Sequence, residues 1–450
     1  MNMRSDKPRF SQFWNDRIAS SKCLQDLGSV HFGVAPAKFE ITYNSQEVRS
    51  HYIGVRTAAA QELLGTAVNH SNGGGSFNRS QALMSGIAET VERYSAAYVP
   101  ESGLTHAPYA QLSGWALNPV DFALFSERQL KEDNFPYVPF GENISTAWTV
   151  GLDLKRGMPV YVPAQLVYLN RHFGDCAPIG YATSNGLACG PNYTEAAVSA
   201  LLECAERDAV MIAWNAGLSM PKIDLSSDSR VADLVARHFA PTGLNFVALD
   251  LTSLNKVPTS LAVVWSHDTE KQQLSVGAAS RSNLSDACIE ALLEAFHCSA
   301  YCRQLIRDHG AISSIRDLDS DVVTLEDHVR FYGSAEHIKC ASFLLASSET
   351  TDLRETESLD ANNPANLLQS IVNKLASQTE ISIVDVTSPD IYGQGLSVIK
   401  AVCPSLIPLG VGWRTRYIGG ERLLSIPEQR GHRNRRLSYE DLTPYPHPFP

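Results

Sequence analysis

The chain lacks any apolar run near the ~18 residues that a membrane-crossing helix needs. Its first 17 residues alternate charges with aromatics instead of building the basic, apolar and small-residue blocks of a signal peptide. No membrane association is expected, and the expected compartment is the cytoplasm. Paired cysteines are missing too. Nine Cys are an odd number, none falls in a Cys-x-x-Cys pair, and Cys298 and Cys302 have no second pair with which to close a zinc site. Reduced, interior thiols are the expectation. Positive charge is in deficit, with 37 Lys and Arg against 48 Asp and Glu and a net charge of −11, which argues against nucleic acid as the main partner. Missing as well are the GxSxG elbow, the HExxH helix, the GxGxxG fingerprint and the GxxxxGK[ST] P-loop, and the 13 His are scattered.

What remains is a globular composition. Hydrophobic residues make up 44%, and 16 Phe with 16 Tyr can anchor a large core, so 450 residues point to one large α/β unit or two domains. β-rich runs at 161–169, 246–251, 260–267, 382–387 and 397–403 alternate with long helical patterns at 80–98, 194–216 and 285–306. The pattern predicts a mixed α/β fold, of α/β or α+β type, with a sizeable sheet. The expected organisation is an N-terminal segment over 1–50, a central domain over 51–430 and a proline-rich tail over 431–450. Residues 308–380, richer in Asp, Ser and Glu, read as an excursion from that domain. Proline at 444, 446, 448 and 450 bars helix and central strand, so the tail should run extended, near polyproline II.

The sequence repeats itself. Ser71-Asn72-Gly73 precedes the first helix and Ser184-Asn185-Gly186 the second. Gln81, Ser85, Glu89, Glu92 and Arg93 have the spacing of Glu195, Ser199, Glu203, Glu206 and Arg207, and Asp286, Glu290, Glu294 and His297 repeat it again. A duplicated strand–loop–helix unit follows. Positions i, i+4 and i+7 share one helix face, so each helix presents a stripe of acids among small residues such as Ala82, Gly86, Ala196 and Ala200. Carboxylates in an enclosed space need a cation or a basic partner, and hard oxygen ligands suit Mg²⁺ beside nucleotide phosphates. The competing reading is a set of local ion pairs on exposed helices. Arg93 and Arg207 serve either as partners of those acids or as phosphate ligands. The run Asn72-Gly73-Gly74-Gly75-Ser76 reads as a loop, either a phosphate cradle or a tight turn.

At these residues the sequence resembles the YcaO family. Its mark is SxxxExxER, here Ser85 to Arg93, then Ser184-Asn-Gly with Glu203-Cys-Ala-Glu206-Arg207-Asp208, then Ala291-Leu-Leu-Glu294. The resemblance covers roughly 50–430 and implies the YcaO-type ATP-binding fold, built from repeated strand–loop–helix units and unrelated to kinases. It implies Glu89, Glu92, Glu203, Glu206 and Glu294 as Mg²⁺ ligands, and Ser85, Asn185, Glu195 and Arg207 as residues of the ATP pocket. A C-terminal PxPxP implies a member that makes azoline rings in ribosomal peptides, with the tail reaching the active site and the Pro450 carboxylate as a catalytic group. Such cyclodehydratases convert Cys, Ser or Thr of a precursor peptide to thiazoline or oxazoline. Thioamide or amidine formation, or a non-catalytic ATP-binding maturation factor, are the alternatives. The resemblance also implies an E1-like or ocin-ThiF-like partner that captures the leader of the peptide, with an FMN-dependent dehydrogenase as a further partner. Gly75 stands where many members have the lysine of Gly-Lys-Gly, Glu290 where arginine is frequent, and His297 where glutamine is common.

Overall fold

Each of the three long helices starts at an asparagine. Asn78, Asn192 and Asn283 are extended residues whose side-chain oxygens accept backbone N–H groups of the first turn, filling donors that a helix start leaves open. The computed structural model describes residues 26–449, except 32, 42–47, 66–67, 69–70, 171–172, 267–272, 313–314 and 316. A first antiparallel sheet, β1 (Ala37–Ile41), β2 (His51–Arg56) and β3 (Ser71–Ser76), leads into α1 (Arg79–Ala97). Next come β4 (Thr105–Pro108), β5 (Ser145–Asp153), β6 (Met158–Pro163) and β7 (Leu187–Gly190), the last feeding α2 (Tyr193–Asn215). Then β8 (Lys222–Asp224), β9 (Asn245–Asp250), β10 (Thr259–Ser266) and β11 (Gln273–Ser280) feed α3 (Leu284–His309). The chain closes with β12 (Thr350–Asp352), α4 (Pro364–Leu375), β13 (Ser382–Asp385), β14 (Ser397–Val402) and α5 (Glu421–Gln429).

The fold is mixed α/β. One sheet runs in the order β4-β5-β13-β14-β7 with β6 on β5, and another in the order β11-β10-β9-β8-β12, where only β12 runs parallel to its neighbour. The helices at 80–98, 194–216 and 285–306 are found within three residues of those bounds. Two expectations fail. The run 161–169 is not one strand: pairing stops at Pro163, and Ala164–Leu166 turn into a 3-10 helix. The glycine run at 72–76 is not a loop but most of β3, in register with β2 through Tyr52↔Gly75, Ile53↔Gly74 and Gly54↔Gly73. Close packing, not propensity, decides it, because glycine lets neighbouring side chains and α1 lie directly on the strand. The stretch 308–380 is only partly an excursion, since β12 completes a sheet and α4 packs on α2. Among the described residues, no helix is long and apolar enough to cross a membrane.

The tail is tied down residue by residue. Thr443 N–H donates to Asn215 O, Trp214 Nε1 to Tyr445 O (3.1 Å), Tyr332 OH to Pro446 O (2.6 Å) and His328 Nδ1 to His447 O (3.0 Å). His447 donates from Nε2 to Gly410 O and accepts Phe449 N–H at Nδ1, so the ring is neutral, and burial lowers its pKa to about 4. Phe449 is buried beneath the Arg207 guanidinium, 4.3 Å from its ring centre.

Beside Arg207, Asp208 faces the opposite way, into the core. It takes two hydrogen bonds of 2.8 Å from Arg422 on α5 and one of 3.1 Å from Ile407 N–H. Both charged side chains are buried. Removing one partner strands the other charge, so Asp208→Ala should cost about 3–5 kcal/mol. Chemical denaturation measures it, and a loss below ~1 kcal/mol would show that the pair is dispensable.

Candidate active site

Each long helix ties a carboxylate to a strand or to the turn before one. Glu89 Oε2 accepts Gly73 N–H of β3, and Glu294 Oε2 accepts Ala278 N–H of β11, both at 2.8 Å and both across sixteen residues. Glu92 reaches Cys189 N–H of β7 at 2.8 Å, and Glu203 takes the N–H of Gly186 in the turn before β7. Counted from the asparagine caps, Glu89, Glu203 and Glu294 all stand eleven residues on (78 to 89, 192 to 203, 283 to 294). Fourteen residues on stand Glu92, Glu206 and His297; fifteen on stand Arg93, Arg207 and Cys298. The asparagines and the tethering N–H groups were missed in the sequence. Their signal was an Asn a fixed distance before every glutamate stripe.

The acids face one another. Burial, with repulsion from Glu203 and Glu89, raises the Glu92 carboxyl to about 8, although the Cys189 N–H and Arg93 oppose it. Burial likewise raises Glu203, Glu206 and Glu294. Arg93 bonds Glu89 at 3.1 Å, while Arg207 Nε lies 3.3 Å from Glu206 and 3.7 Å from Glu203. Burial works against the charge on Arg207, but Glu206, Glu203 and Glu294 together raise its pKa. Of the expected ATP-pocket residues, Ser85 is exposed, Asn185 is buried with Nδ2 3.4 Å from Leu409 O, and Glu195 is buried against its own cap, Asn192 (2.8 Å). Among the described residues, nothing hydrogen-bonds Glu195 Oε2 or Arg207 Nη1. Pro450 lies outside the described residues.

The third unit differs. His297 binds Ser50 through Nε2 (2.7 Å), packs edge-on against Tyr52, and covers Gly75 so closely that a Cβ there would stand 2.3 Å from the ring. Glu290 is paired with Arg281 from the end of β11, a guanidinium that the repeat did not announce.

The donor set fits Mg²⁺ in one respect and corrects the expected geometry in another. Half-buried carboxylates with raised pKa values, together with the buried Glu206, Glu195 Oε2 and Arg207 Nη1, are groups that a cation or an anion could satisfy. Yet among the described residues no three His, Cys, Asp or Glu side chains form a ready cage, and Arg93 and Arg207 are paired with Glu89, Glu203 and Glu206. Mg²⁺ is suited to such a wall, since it commonly takes one or two carboxylates together with substrate phosphates.

Repeated helices thus turn tethered acids and two arginines toward one another. The chain belongs to the YcaO family: the family model, described as YcaO cyclodehydratase, ATP- and Mg²⁺-binding, matches residues 73–407. A protein encoded in the tfuA 3' region of Rhizobium leguminosarum bv. trifolii is 34% identical over 121 residues, 26% of this chain and 29% of the relative. A heterocyclase solved in complex with substrate and cofactor superposes with a TM-score of 0.81 at 20% identity, over all of this chain and 59% of its own. YcaO from Methanopyrus kandleri bound with AMPPCP and Mg²⁺ follows with a TM-score of 0.58 at 18% identity, covering 90% of this chain and 93% of that one. This chain thus spans under a third of that curated relative and three-fifths of that heterocyclase.

The raised carboxyls fix a pH dependence. A carboxyl with a folded pKa of about 8 and an ordinary value of 4.5 stabilises the fold fully below 4.5 and loses that contribution as pH rises through 8. Without Mg²⁺, the melting temperature of the protein should therefore fall from pH 5 to pH 8 more steeply than that of Glu92→Gln. MgATP should raise it more at pH 8 than at pH 6. Parallel wild-type and Glu92→Gln profiles in differential scanning fluorimetry would contradict the assignment.

Proposed function

We propose that this protein is an ATP- and Mg²⁺-dependent cyclodehydratase subunit acting on a ribosomal precursor peptide. The observation that carries the reading is the set of tethered carboxylates on three helices, facing Arg93 and Arg207, with the proline-rich tail docked on Arg207 itself. Glu89, Glu92, Glu203, Glu206 and Glu294 would hold Mg²⁺, which neutralises triphosphate charge and polarises the transferred phosphoryl group. Ser85, Asn185, Glu195 and Arg207 bind ATP, with the unpaired Glu195 Oε2 and Arg207 Nη1 as the free contacts.

The chemistry needs an amide oxygen to leave. The side chain of Cys, Ser or Thr attacks the preceding carbonyl, its proton passes to a base, and the oxyanion takes the γ-phosphoryl group of ATP. Phosphate then departs with the amide oxygen as the azoline C=N bond forms and the nitrogen gives up its proton. The Pro450 carboxylate is the proposed base, brought in by a tail whose φ angles are restricted at every second residue, which lowers the entropy lost on docking. Thioamide or amidine formation would use the same ATP site with a different nucleophile, and the docked tail favours the azoline reading. Leader capture by an E1-like or ocin-ThiF-like partner and azoline oxidation by an FMN-dependent dehydrogenase complete it.

Two outcomes test the proposal. Glu203→Gln and Glu89→Gln should each abolish ring formation, read by the 18 Da loss per ring in peptide mass, while the protein stays folded; near-normal conversion at saturating ATP would sink the metal-site roles. A short tag after Pro450 should cut cyclisation strongly with ATP affinity unchanged, and full activity in the tagged protein would remove the tail from catalysis.

A further inference from the structure

One buried cation has no part in the chemistry above. Lys400, on β14, is 4% exposed and lines a cavity of about 90 Å³ whose lining includes Phe122, Tyr181 and Tyr417 and, among polar residues, Thr183, Asn185 and Arg207. Its Nζ donates to Thr183 O at 2.7 Å and to Asn185 O at 2.6 Å, the two carbonyls that flank Ser184 in the turn before β7. An ammonium carries three N–H groups, so among the described residues one donor remains. Glu203 is the acid that faces it, while Arg93 acts on it as a like charge and Arg207 borders the same cavity. A neutral amide would serve the two carbonyls as well. Glu203 and Glu206 offset part of this positive charge, and an oxyanion that entered the apolar-walled cavity beside Lys400 and Arg207 would feel an attraction stronger than in water.

We propose that Lys400 is a ligand-binding residue of this site: two of its N–H groups fix the 183–185 turn, and the third is presented to an oxyanion that enters the cavity beside Arg207. The proposal rests on the ATP-dependent reading for the source of that oxyanion, which is either an ATP phosphate oxygen or the peptide amide oxygen as it comes under attack. In both cases an anionic oxygen would accept the third N–H. Lys400 also couples the two sources, since the turn that it holds carries Asn185.

Lys400→Gln keeps two N–H donors for the carbonyls and removes the charge and the third. Its melting temperature should stay within a few degrees of wild type. Calorimetric MgATP affinity and the cyclisation kcat at saturating ATP are then compared, and one of them should fall at least tenfold. Lost ATP affinity assigns the donor to a phosphate; lost kcat with ATP affinity intact assigns it to the peptide oxyanion. A folded Lys400→Gln within twofold of wild type in both overturns the proposal, and Lys400→Met, which keeps the apolar stem, is read the same way if the Gln variant does not fold. Titration with inorganic phosphate separates this failure from that of the nucleotide reading: a wild type that binds phosphate but not MgATP, with binding lost in Lys400→Gln, refutes the ATP assignment and retains the lysine.

Discussion

Packing acids of like charge against one another is the constraint around which the molecule is arranged. Left alone, such carboxyls take up protons or drive their helices apart. Here each of Glu89, Glu92, Glu203 and Glu294 is held by a backbone N–H of a strand or its preceding turn, a donor that cannot swing away. The sheets therefore do more than cover the helices, because their register sets where each acid stands. Arginines fifteen residues after two of the caps offset part of the charge.

Helix α2 joins the separate parts. Over adjacent residues it turns Glu206 and Arg207 to the site and Asp208 to α5, and at its next-to-last residue Trp214 holds the tail. Disturbance of the core at Asp208 should thus be felt in the position of Arg207, and through Phe449 in the seating of the tail. Proline restriction makes the tail stiff, but Trp214, Tyr332 and His328 choose its path.

The helices and their glutamates were legible because an amphipathic period and a repeated spacing are properties of the sequence alone. The strand β3 was not, since a glycine run favours loops, and only the packing of Tyr52, α1 and His297 on it makes it extended. Lys400 gave no signal either: it sits in an ordinary apolar strand pattern, and its partners Thr183 and Asn185 lie more than 200 residues away. Arg281 pairs with Glu290 only nine residues on, yet no helical spacing links a strand end to a helix face. Proximity set by tertiary structure carries those features, and a one-dimensional pattern does not record it.

The contact between Gly75 and His297 bears on how such a site can diverge. Any side chain at 75 would collide with the imidazole, and the imidazole fits only over a bare backbone. The two positions lie 222 residues apart (297 − 75), yet a change at one limits what the other can hold. A lineage that carries a long residue at the first position must carry a ring-free or differently turned residue at the second. The passage between the two states runs through an intermediate with glycine at 75 and a smaller group at 297, which leaves a gap but no clash.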